Sequence, residues 1–422
     1  MYEIKTFPSG LTVVGERMDS VRSVTLGVWV ASGSRSEGVG LEGISHYIEH
    51  MIFKGTSALS ASDLADRIDT LGGEVNAYTT KELTCFYGRV LDEELLEFAS
   101  LLSSMLTDSA FDPSAVETER GVILEEIGMY EDNPEDLVSE KLTLGIYEGG
   151  PLGHPILGYP STLEKITSET LRDYIRSHYT SLATVISVAG NYPEGALERI
   201  GEMFSPLLKG PRPEVGSAEY RPVTVSAARP TEQSNIVLAF KGLPLGTARR
   251  YEMSVLNSCL GGNMSSRLFQ RVRERLGLCY SIYSYVASHT DTGMLGIYLG
   301  CSPSSEEKAC AEIGAVLNEL AREGVTEDEV TRIKRQLRAS LLMSLESTSS
   351  RSSHLGKSML MYGRIPTPDE LRQKLEAVTA EGVNALAREI FDPRTLSFSQ
   401  VAPKPRAESL AEVIRQRLDF AV

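Results

Sequence analysis

The order of segments along the chain repeats once, and this repeat limits the available folds more than any other feature. In each half, an apolar run typical of a strand precedes two helical segments, aromatic-rich strands, two long helical stretches and a closing strand. The halves are offset by a little over two hundred residues, and a segment rich in Pro, Gly and polar residues separates them. We therefore predict an α+β protein with two homologous domains, 1–207 and 223–422, joined by a linker over 208–222.

Composition and charge exclude several classes of function. The chain has 422 residues, and no apolar run approaches the roughly 20 residues that span a bilayer. A net charge of -15 argues against nucleic acid and anionic membranes as partners, because phosphate binding needs a basic surface. Five scattered cysteines, none in a CxxC pair, favour reduced thiols, and the first residues lack a secretory signal pattern. We predict a cytoplasmic protein with no nucleic-acid partner and no membrane partner.

The segment "SHYIEHMIFKG" combines an apolar helical stripe with three polar residues. At 3.6 residues per turn, His46, Glu49 and His50 share one face of the helix, while Ile44 and Ile48 lie opposite. Imidazoles four residues apart reach one metal ion from consecutive turns, and zinc favours such ligands. Glu49 is then placed to take a proton from a water at the metal. An exposed polar helix face is the alternative, so the zinc hypothesis requires a third protein ligand.

A second helix supplies acidic residues for that role. Asp112 is predicted as its N-cap and Pro113 as its first residue. Glu119 and Glu126 are seven residues apart, so they lie nearly superposed, two turns apart on one face of the helix. The apolar residues between them indicate that this part of the helix is packed against the protein.

These two motifs together resemble the pitrilysin family of zinc metallopeptidases, in which H-x-x-E-H precedes a helix with two glutamates by about seventy-five residues. The resemblance implies one zinc ion per chain, held by His46, His50 and Glu126, with Glu125 as the alternative third ligand. It implies that Glu119 supports a ligand and the active site. It also implies that each domain is an antiparallel sheet flanked by helices, and that the chain forms half of a clam-shell chamber, as in the bacterial processing-peptidase-like branch.

The resemblance extends to residues that handle substrate. The strand "EVNAYTTKE" resembles the family's N-A-x-T strand, so Asn76 and Ala77 are expected to hold a substrate backbone at a sheet edge. Phe53, on the polar face of the first helix, is a further candidate. The segment "VRERLGLCY" resembles the family's Arg-and-Tyr element, in which Arg273 grips a peptide carbonyl and Tyr280 donates to the oxyanion. An ordinary strand and ordinary surface residues are the alternatives.

These observations predict a zinc metalloendopeptidase that hydrolyses unfolded or presequence-like peptides, with Glu49 activating the water. The second half lacks H-x-x-E-H and is expected to bind no zinc. The resemblance implies a homodimer, in which the second domain of one chain supplies Arg273 and Tyr280 to the site of its partner. A non-catalytic scaffold or assembly subunit of the same fold is the alternative function.

Overall fold

The structure is a computed structural model, and it describes residues 2–418. Its strands are β1 (Glu3–Thr6), β2 (Thr12–Arg17), β3 (Ser23–Val30), β4 (Glu74–Thr79), β5 (Thr84–Leu91), β6 (Thr184–Gly190), β7 (Thr224–Ala228), β8 (Ser234–Lys241), β9 (Cys279–Ser288), β10 (Gly293–Cys301) and β11 (Ser397–Ala402). Its helices are α1 (Ile44–Met51), α2 (Ala61–Thr70), α3 (Leu95–Thr107), α4 (Pro113–Asp132), α5 (Pro134–Ile146), α6 (Pro160–Leu163), α7 (Ser168–His178), α8 (Ala196–Met203), α9 (Arg250–Leu260), α10 (Glu306–Arg322), α11 (Glu327–Ser344), α12 (Thr348–Tyr362), α13 (Pro368–Glu376), α14 (Ala380–Ile390) and α15 (Ala407–Arg415). Short 3₁₀ turns and one π-helical segment, Phe269–Arg275, connect some of these elements.

The chain divides into two compact units, and each unit takes a helix from the other half of the sequence. Unit 1 contains the chain up to Ile127, residues His154–Gly216 and residues Leu341–Pro366, which include α12. Unit 2 contains Gly128–Gly153, with α5, then Ser217–Ser340 and the chain from Thr367 onward. The units therefore differ from the predicted contiguous ranges 1–207 and 223–422, because α5 and α12 each pack on a sheet formed by distant residues. The predicted linker, 208–222, contains neither helix nor strand.

The sheet of unit 1 has the strand order β1-β2-β6-β3-β5-β4. Strand β5 pairs antiparallel with β3 on one side and with β4 on the other, and β6 pairs antiparallel with β3. Strand β6 lies between β2 and β3, which run in opposite directions, so it is parallel to β2 and antiparallel to β3. Strand β4 lies at the edge of this sheet and pairs only with β5 among the described residues, so one side of its backbone is open to a further strand.

The five-stranded sheet of unit 2 has the order β7-β11-β8-β10-β9, which repeats the topology of the first sheet without a counterpart of β1. Strands β8, β10 and β9 are antiparallel neighbours, and the closing strand β11 inserts beside β8 and runs parallel to β7. The predicted α+β class and the predicted two homologous domains are confirmed. The expectation of antiparallel sheets holds except at β2–β6 and β7–β11, since a closing strand inserted inside a sheet is antiparallel to one neighbour and parallel to the other.

Each sheet is covered on both faces. In unit 1 the larger core lies against α1, α3, α4, α7 and α8, and a smaller cluster around Trp29 packs against Leu355 and Leu360 of α12. Helix α12 approaches closely at Gly356, where an added Cβ would lie 2.0 Å from the indole nitrogen of Trp29. In unit 2 the larger core includes α9, α10, α14 and α15, and α5 covers the opposite face through residues such as Leu142. The interleaved helices are therefore part of each unit's core.

Two further features concern membrane-spanning helices and disulfide bonds. No helix within residues 2–418 combines the length and the apolar character needed to cross a membrane. The five cysteines form no disulfide, as their scattered positions predict.

Candidate metal centre and active site

Helix α1 places its three polar residues on one side of an otherwise buried helix. Ile44 and Ile48 are fully buried in the core of unit 1, and His46 is 7% exposed. Glu49 and His50 are half-buried. The rings of His46 and His50 stand edge to face with centroids 4.5 Å apart, as expected for residues one turn apart. The apolar stripe therefore fixes the direction in which both imidazoles point.

The start of α1 is fixed by a buried carboxylate. Both oxygens of Glu37 accept backbone N–H groups from the first turn, those of Gly43 and Ser45, each at 2.8 Å. Gly43 has φ +96°, and an added Cβ there would lie 2.7 Å from the carbonyl oxygen of Leu157. Burial raises the pKa of Glu37 to about 8, and the two backbone hydrogen bonds oppose that rise. This capping contact holds the helix that carries the histidines.

Helix α4 supplies the carboxylates that face α1. The carboxylate of Asp112 accepts the backbone N–H groups of Ser114 at 2.8 Å and Ala115 at 3.2 Å, which is the N-cap contact that the sequence predicts. Ile123 is fully buried, so one side of the helix is fixed against the core. Glu125, the alternative third ligand, is exposed. The carboxylate that reaches the histidines belongs to Glu126.

Three side chains converge on a point suited to a metal ion. Oε2 of Glu126 lies 3.7 Å from Nε2 of His46 and 3.6 Å from Nε2 of His50, and the three ligand atoms lie within 4.8 Å of one another. Tetrahedral ligands at about 2.0–2.1 Å from zinc are separated by roughly 3.3–3.4 Å, so small side-chain movements close the set. Burial, with a smaller contribution from His50, lowers the pKa of His46 to about 3. The neutral imidazole is the form that binds a metal, so these residues fit zinc.

Glu119 orients one of the two histidines. Its Oε1 lies 2.8 Å from Nδ1 of His50, and its Oε2 lies 2.7 Å from Nζ of Lys54. An ionised carboxylate only accepts hydrogen bonds, so the bond requires a proton on Nδ1 and leaves the lone pair of Nε2 directed toward Glu126. The Glu119 side chain is 6% exposed, and the ammonium of Lys54 compensates its charge.

Glu49 lies beside this ligand set without belonging to it. The hydroxyl of Thr79 donates a 2.6 Å hydrogen bond to Oε2 of Glu49. Burial raises the pKa of Glu49 above its ordinary value, and the hydrogen bonds from Thr79 oppose that rise. The charges of His50 and Glu126 also act on this pKa, which places Glu49 within electrostatic reach of both. A half-buried carboxylate with a raised pKa next to a metal site suits proton transfer.

The predicted substrate-handling residues of unit 1 lie on β4, whose last residue contacts Glu49, and just after α1. Asn76 and Ala77 are on the edge strand β4, where Asn76 is exposed and its Oδ1 accepts the backbone N–H of Ala77 at 2.8 Å. Ala77 is half-buried against the core. Phe53 follows α1 and is also half-buried against that core, so its ring is largely occupied by packing. Their contact with substrate stays a prediction.

Arg273 and Tyr280 come together in unit 2. Arg273 is on the π-helical segment, and its guanidinium carbon lies 4.6 Å from the ring centroid of Phe269 and 5.7 Å from that of Tyr280. Tyr280, near the start of the edge strand β9, is 74% exposed. Stacking on two rings holds the arginine in place and leaves the phenol accessible.

The sequence of this chain is similar to those of known proteins. The family model described as "Insulinase (Peptidase family M16)" matches residues 12–159, and the one described as "Peptidase M16 inactive domain" matches residues 165–337. The "Uncharacterized zinc protease YmxG" of Bacillus subtilis is 43% identical over 387 residues, covering 92% of this chain and 95% of the relative. The chain belongs to peptidase family M16.

Other relatives of this M16 chain agree. An uncharacterized zinc protease of Streptomyces coelicolor is 39% identical over 408 residues, covering 94% of this chain and 89% of that protein. The crystal structure of a peptidase M16 inactive domain from Pseudomonas fluorescens has a TM-score of 0.90 at 20% identity, covering 96% of this chain and 98% of that one. A protease from Helicobacter pylori gives 0.89 at 20% identity, covering 96% and 99%. The predicted pitrilysin-type family is confirmed, and the two solved structures share the fold.

Two further residues contact the M16 site and are not among the predicted site residues, although Thr79 is the last residue of the N-A-x-T match. Lys54 pairs with Glu119, and Thr79 donates to Glu49. Both have a signal in the sequence. Lys54 is four residues after His50, and Thr79 is two residues after Ala77, on the same face of the strand. Within the part of the chain that the structure describes, one group of three or more His, Cys, Asp or Glu residues is placed to hold a metal ion, and it consists of His46, His50 and Glu126.

Proposed function

We propose that this M16 chain is a zinc-dependent endopeptidase that hydrolyses peptide bonds in unfolded peptides. The observation that carries the proposal is the convergence of His46, His50 and Glu126 on one point, with Glu49 beside them and outside the ligand set. The names of the Bacillus and Streptomyces relatives, both zinc proteases, support zinc as the metal. The same ligand set without a nearby base would have favoured a purely structural metal.

Each residue of the site has a separate role in the proposed peptide hydrolysis. His46, His50 and Glu126 would hold the zinc ion, which supplies a Lewis acid that polarises the scissile carbonyl and acidifies a water. Glu49 takes the proton of that water and returns it to the nitrogen of the leaving amine. Glu119 keeps the proton of His50 on Nδ1, so the imidazole stays in the tautomer that binds through Nε2.

The edge strand β4 favours extended substrates. Its backbone pairs with β5 on one side, and its last residue, Thr79, contacts the base Glu49. A peptide added alongside β4 forms backbone hydrogen bonds only if it is extended, which selects unfolded segments over folded domains. The acidic net charge of -15 is compatible with basic peptides, as in presequence-like substrates.

Cleavage of an unstructured fluorogenic peptide by the purified zinc-loaded chain tests the proposal. The variant Glu49→Gln should retain zinc and lose cleavage, because the amide cannot take the proton of the water. The exposed Glu125→Gln is the matched control and should cleave at the wild-type rate. Zinc-dependent cleavage by Glu49→Gln would refute the assignment of the base. A zinc-loaded wild-type chain that cleaves no peptide would favour the scaffold function.

We also propose that the active unit is a homodimer in which Arg273 and Tyr280 of one chain complete the site of its partner. The support is the resemblance to processing peptidases and the exposure of Tyr280. Mixing a Glu49→Gln chain with a Tyr280→Phe chain should then restore activity above that of either parent, since one site in the mixed dimer has both residues. A mixture no more active than its parents would contradict the arrangement.

A further inference from the structure

We infer that Thr79 is the positioning residue for Glu49, fixing its carboxylate so that one oxygen is held and the other is left for the water. The inference rests on the proposed function, because it assumes that Glu49 acts as a base. The hydroxyl of Thr79 donates to Oε2 of Glu49 over 2.6 Å, at the short end of the range for an O–H···O hydrogen bond.

The hydrogen atoms available in this cluster make Thr79 the donor to Glu49. Thr84 lies opposite Thr79 in the β4–β5 ladder, and its hydroxyl donates to the carbonyl oxygen of Ser32 at 2.8 Å. Because a hydroxyl has one hydrogen, Thr84 has none left to donate to Thr79. The two hydroxyl oxygens are 3.4 Å apart, against 2.6 Å between Thr79 and Glu49, so the hydrogen of Thr79 goes to the carboxylate.

Thr79 is itself held in a rigid frame. It is the last residue of β4, and the next residue closes the hairpin, where the backbone N–H of Thr80 donates to the carbonyl of Leu83 at 2.8 Å. Its β-branched side chain has few rotamers on a strand. Glu49 is on α1, which is capped and packed, so the Thr79 hydroxyl joins two fixed elements, and the backbone of Thr79 also contacts the same carboxylate. The hydroxyl bonds Oε2, so Oε1 is the oxygen that we assign to the proton of the water.

Removing the hydroxyl without changing the volume of the side chain tests the inference. Thr79→Val should lower kcat by about 10–100-fold, the loss expected when a reacting group is misplaced by about 1 Å, while KM changes less than about twofold. Thr79→Ser keeps the donor and should restore most of the rate. Thr70→Val is the matched control, since its exposed hydroxyl bonds the carbonyl of Asp66 at 2.7 Å on α2, and it should keep the wild-type kcat.

Crystal structures of the wild type and Thr79→Val give a readout that does not require activity. The Glu49 carboxylate should occupy one position in the wild type and a shifted or second position in the variant, with equal zinc content in both. Wild-type kcat in Thr79→Val, an unmoved Glu49, or equal loss in the Val and Ser variants would overturn the inference. If the wild type cleaves no peptide, the proposed function fails, and the position of Glu49 in the two crystals still decides the role of Thr79.

Discussion

Replacing Glu119 by Gln should weaken zinc binding without removing any zinc ligand. The carboxylate accepts a 2.8 Å bond from Nδ1 of His50 and holds Lys54 at 2.7 Å, and it is 6% exposed. The amide preserves the shape and can still accept from His50 through its oxygen. It loses the negative charge that favours the Nδ1–H tautomer, and its NH₂ group then faces the ammonium of Lys54.

Loss of such a supporting partner typically weakens metal affinity by about 10–100-fold, which is about 1.4–2.7 kcal/mol of zinc binding free energy. The upper half of that range is expected here, because the bond is short, charge-assisted and shielded from water. Lys54 contributes little to the loss, since its side chain is 36% exposed and water solvates it when the carboxylate is gone.

Competition with a fluorescent zinc chelator at fixed pH measures this change as a dissociation constant. Glu125→Gln is the control, because its side chain is on the same helix, carries the same charge and is exposed. Its zinc affinity should equal that of the wild type, which would also exclude Glu125 as the third ligand. A Glu119→Gln chain that binds zinc as tightly as the wild type would show that the carboxylate does not support His50.

Three further predictions concern zinc affinity, packing at glycines and the pH dependence of stability. Lys54→Met should weaken zinc binding in the same competition assay, by less than the glutamine variant does, because the carboxylate remains bonded to the imidazole. Gly356→Ala should lower the free energy of unfolding in urea by about 1–3 kcal/mol, because the new methyl group overpacks against Trp29. Gly121→Ala lies in a helix interior with no atom near the new Cβ, so it should raise the free energy of unfolding by about 0.5–1 kcal/mol. A change of the same sign in both variants would contradict the packing argument. Glu37 has a folded-state pKa of about 8 against an ordinary value of 4.5. Between these pH values the folded chain keeps a proton that the unfolded chain has lost, so the free energy of unfolding falls as pH rises through that window. In urea titrations from pH 5 to 8, the zinc-free wild type should therefore lose stability relative to Glu37→Gln as pH rises, by at most about 1.4 kcal/mol per pH unit, and a difference independent of pH would refute the shift.

The candidate site was largely predictable because its geometry is local. The positions of His46, Glu49 and His50 on one helix face follow from the helical period, and the spacing of Glu119 and Glu126 follows from the same period on a second helix. The sequence alone leaves the choice between Glu125 and Glu126 to the family resemblance. The structure places Glu125 in solvent and Glu126 beside both imidazoles.

The contacts that depend on tertiary packing were less predictable. Thr79 and Lys54 have favourable positions on their own elements, but only the approach of β4 to α1, and of α4 to α1, makes them partners of Glu49 and Glu119. The interleaving of α5 and α12 has even less local signal, because helical periodicity shows that a helix has an apolar side and does not show which sheet covers it. The position of β6 and β11 inside their sheets is also unpredictable, because the alternation of residues along a strand does not show which strands it pairs with.

The exchange of α12 has a consequence for biosynthesis. The sheet of unit 1 is complete in sequence at Gly190, but the helix that covers the face around Trp29 ends at Tyr362. The roughly 150 residues translated from Gly216 to Pro366, at about 5–20 residues per second, take on the order of 10–30 s on the ribosome. During that time the nascent chain has an apolar sheet face with no helix against it. A message truncated before codon 366 therefore yields a polypeptide prone to aggregation and proteolysis, and the first unit matures only when most of the second has been synthesised.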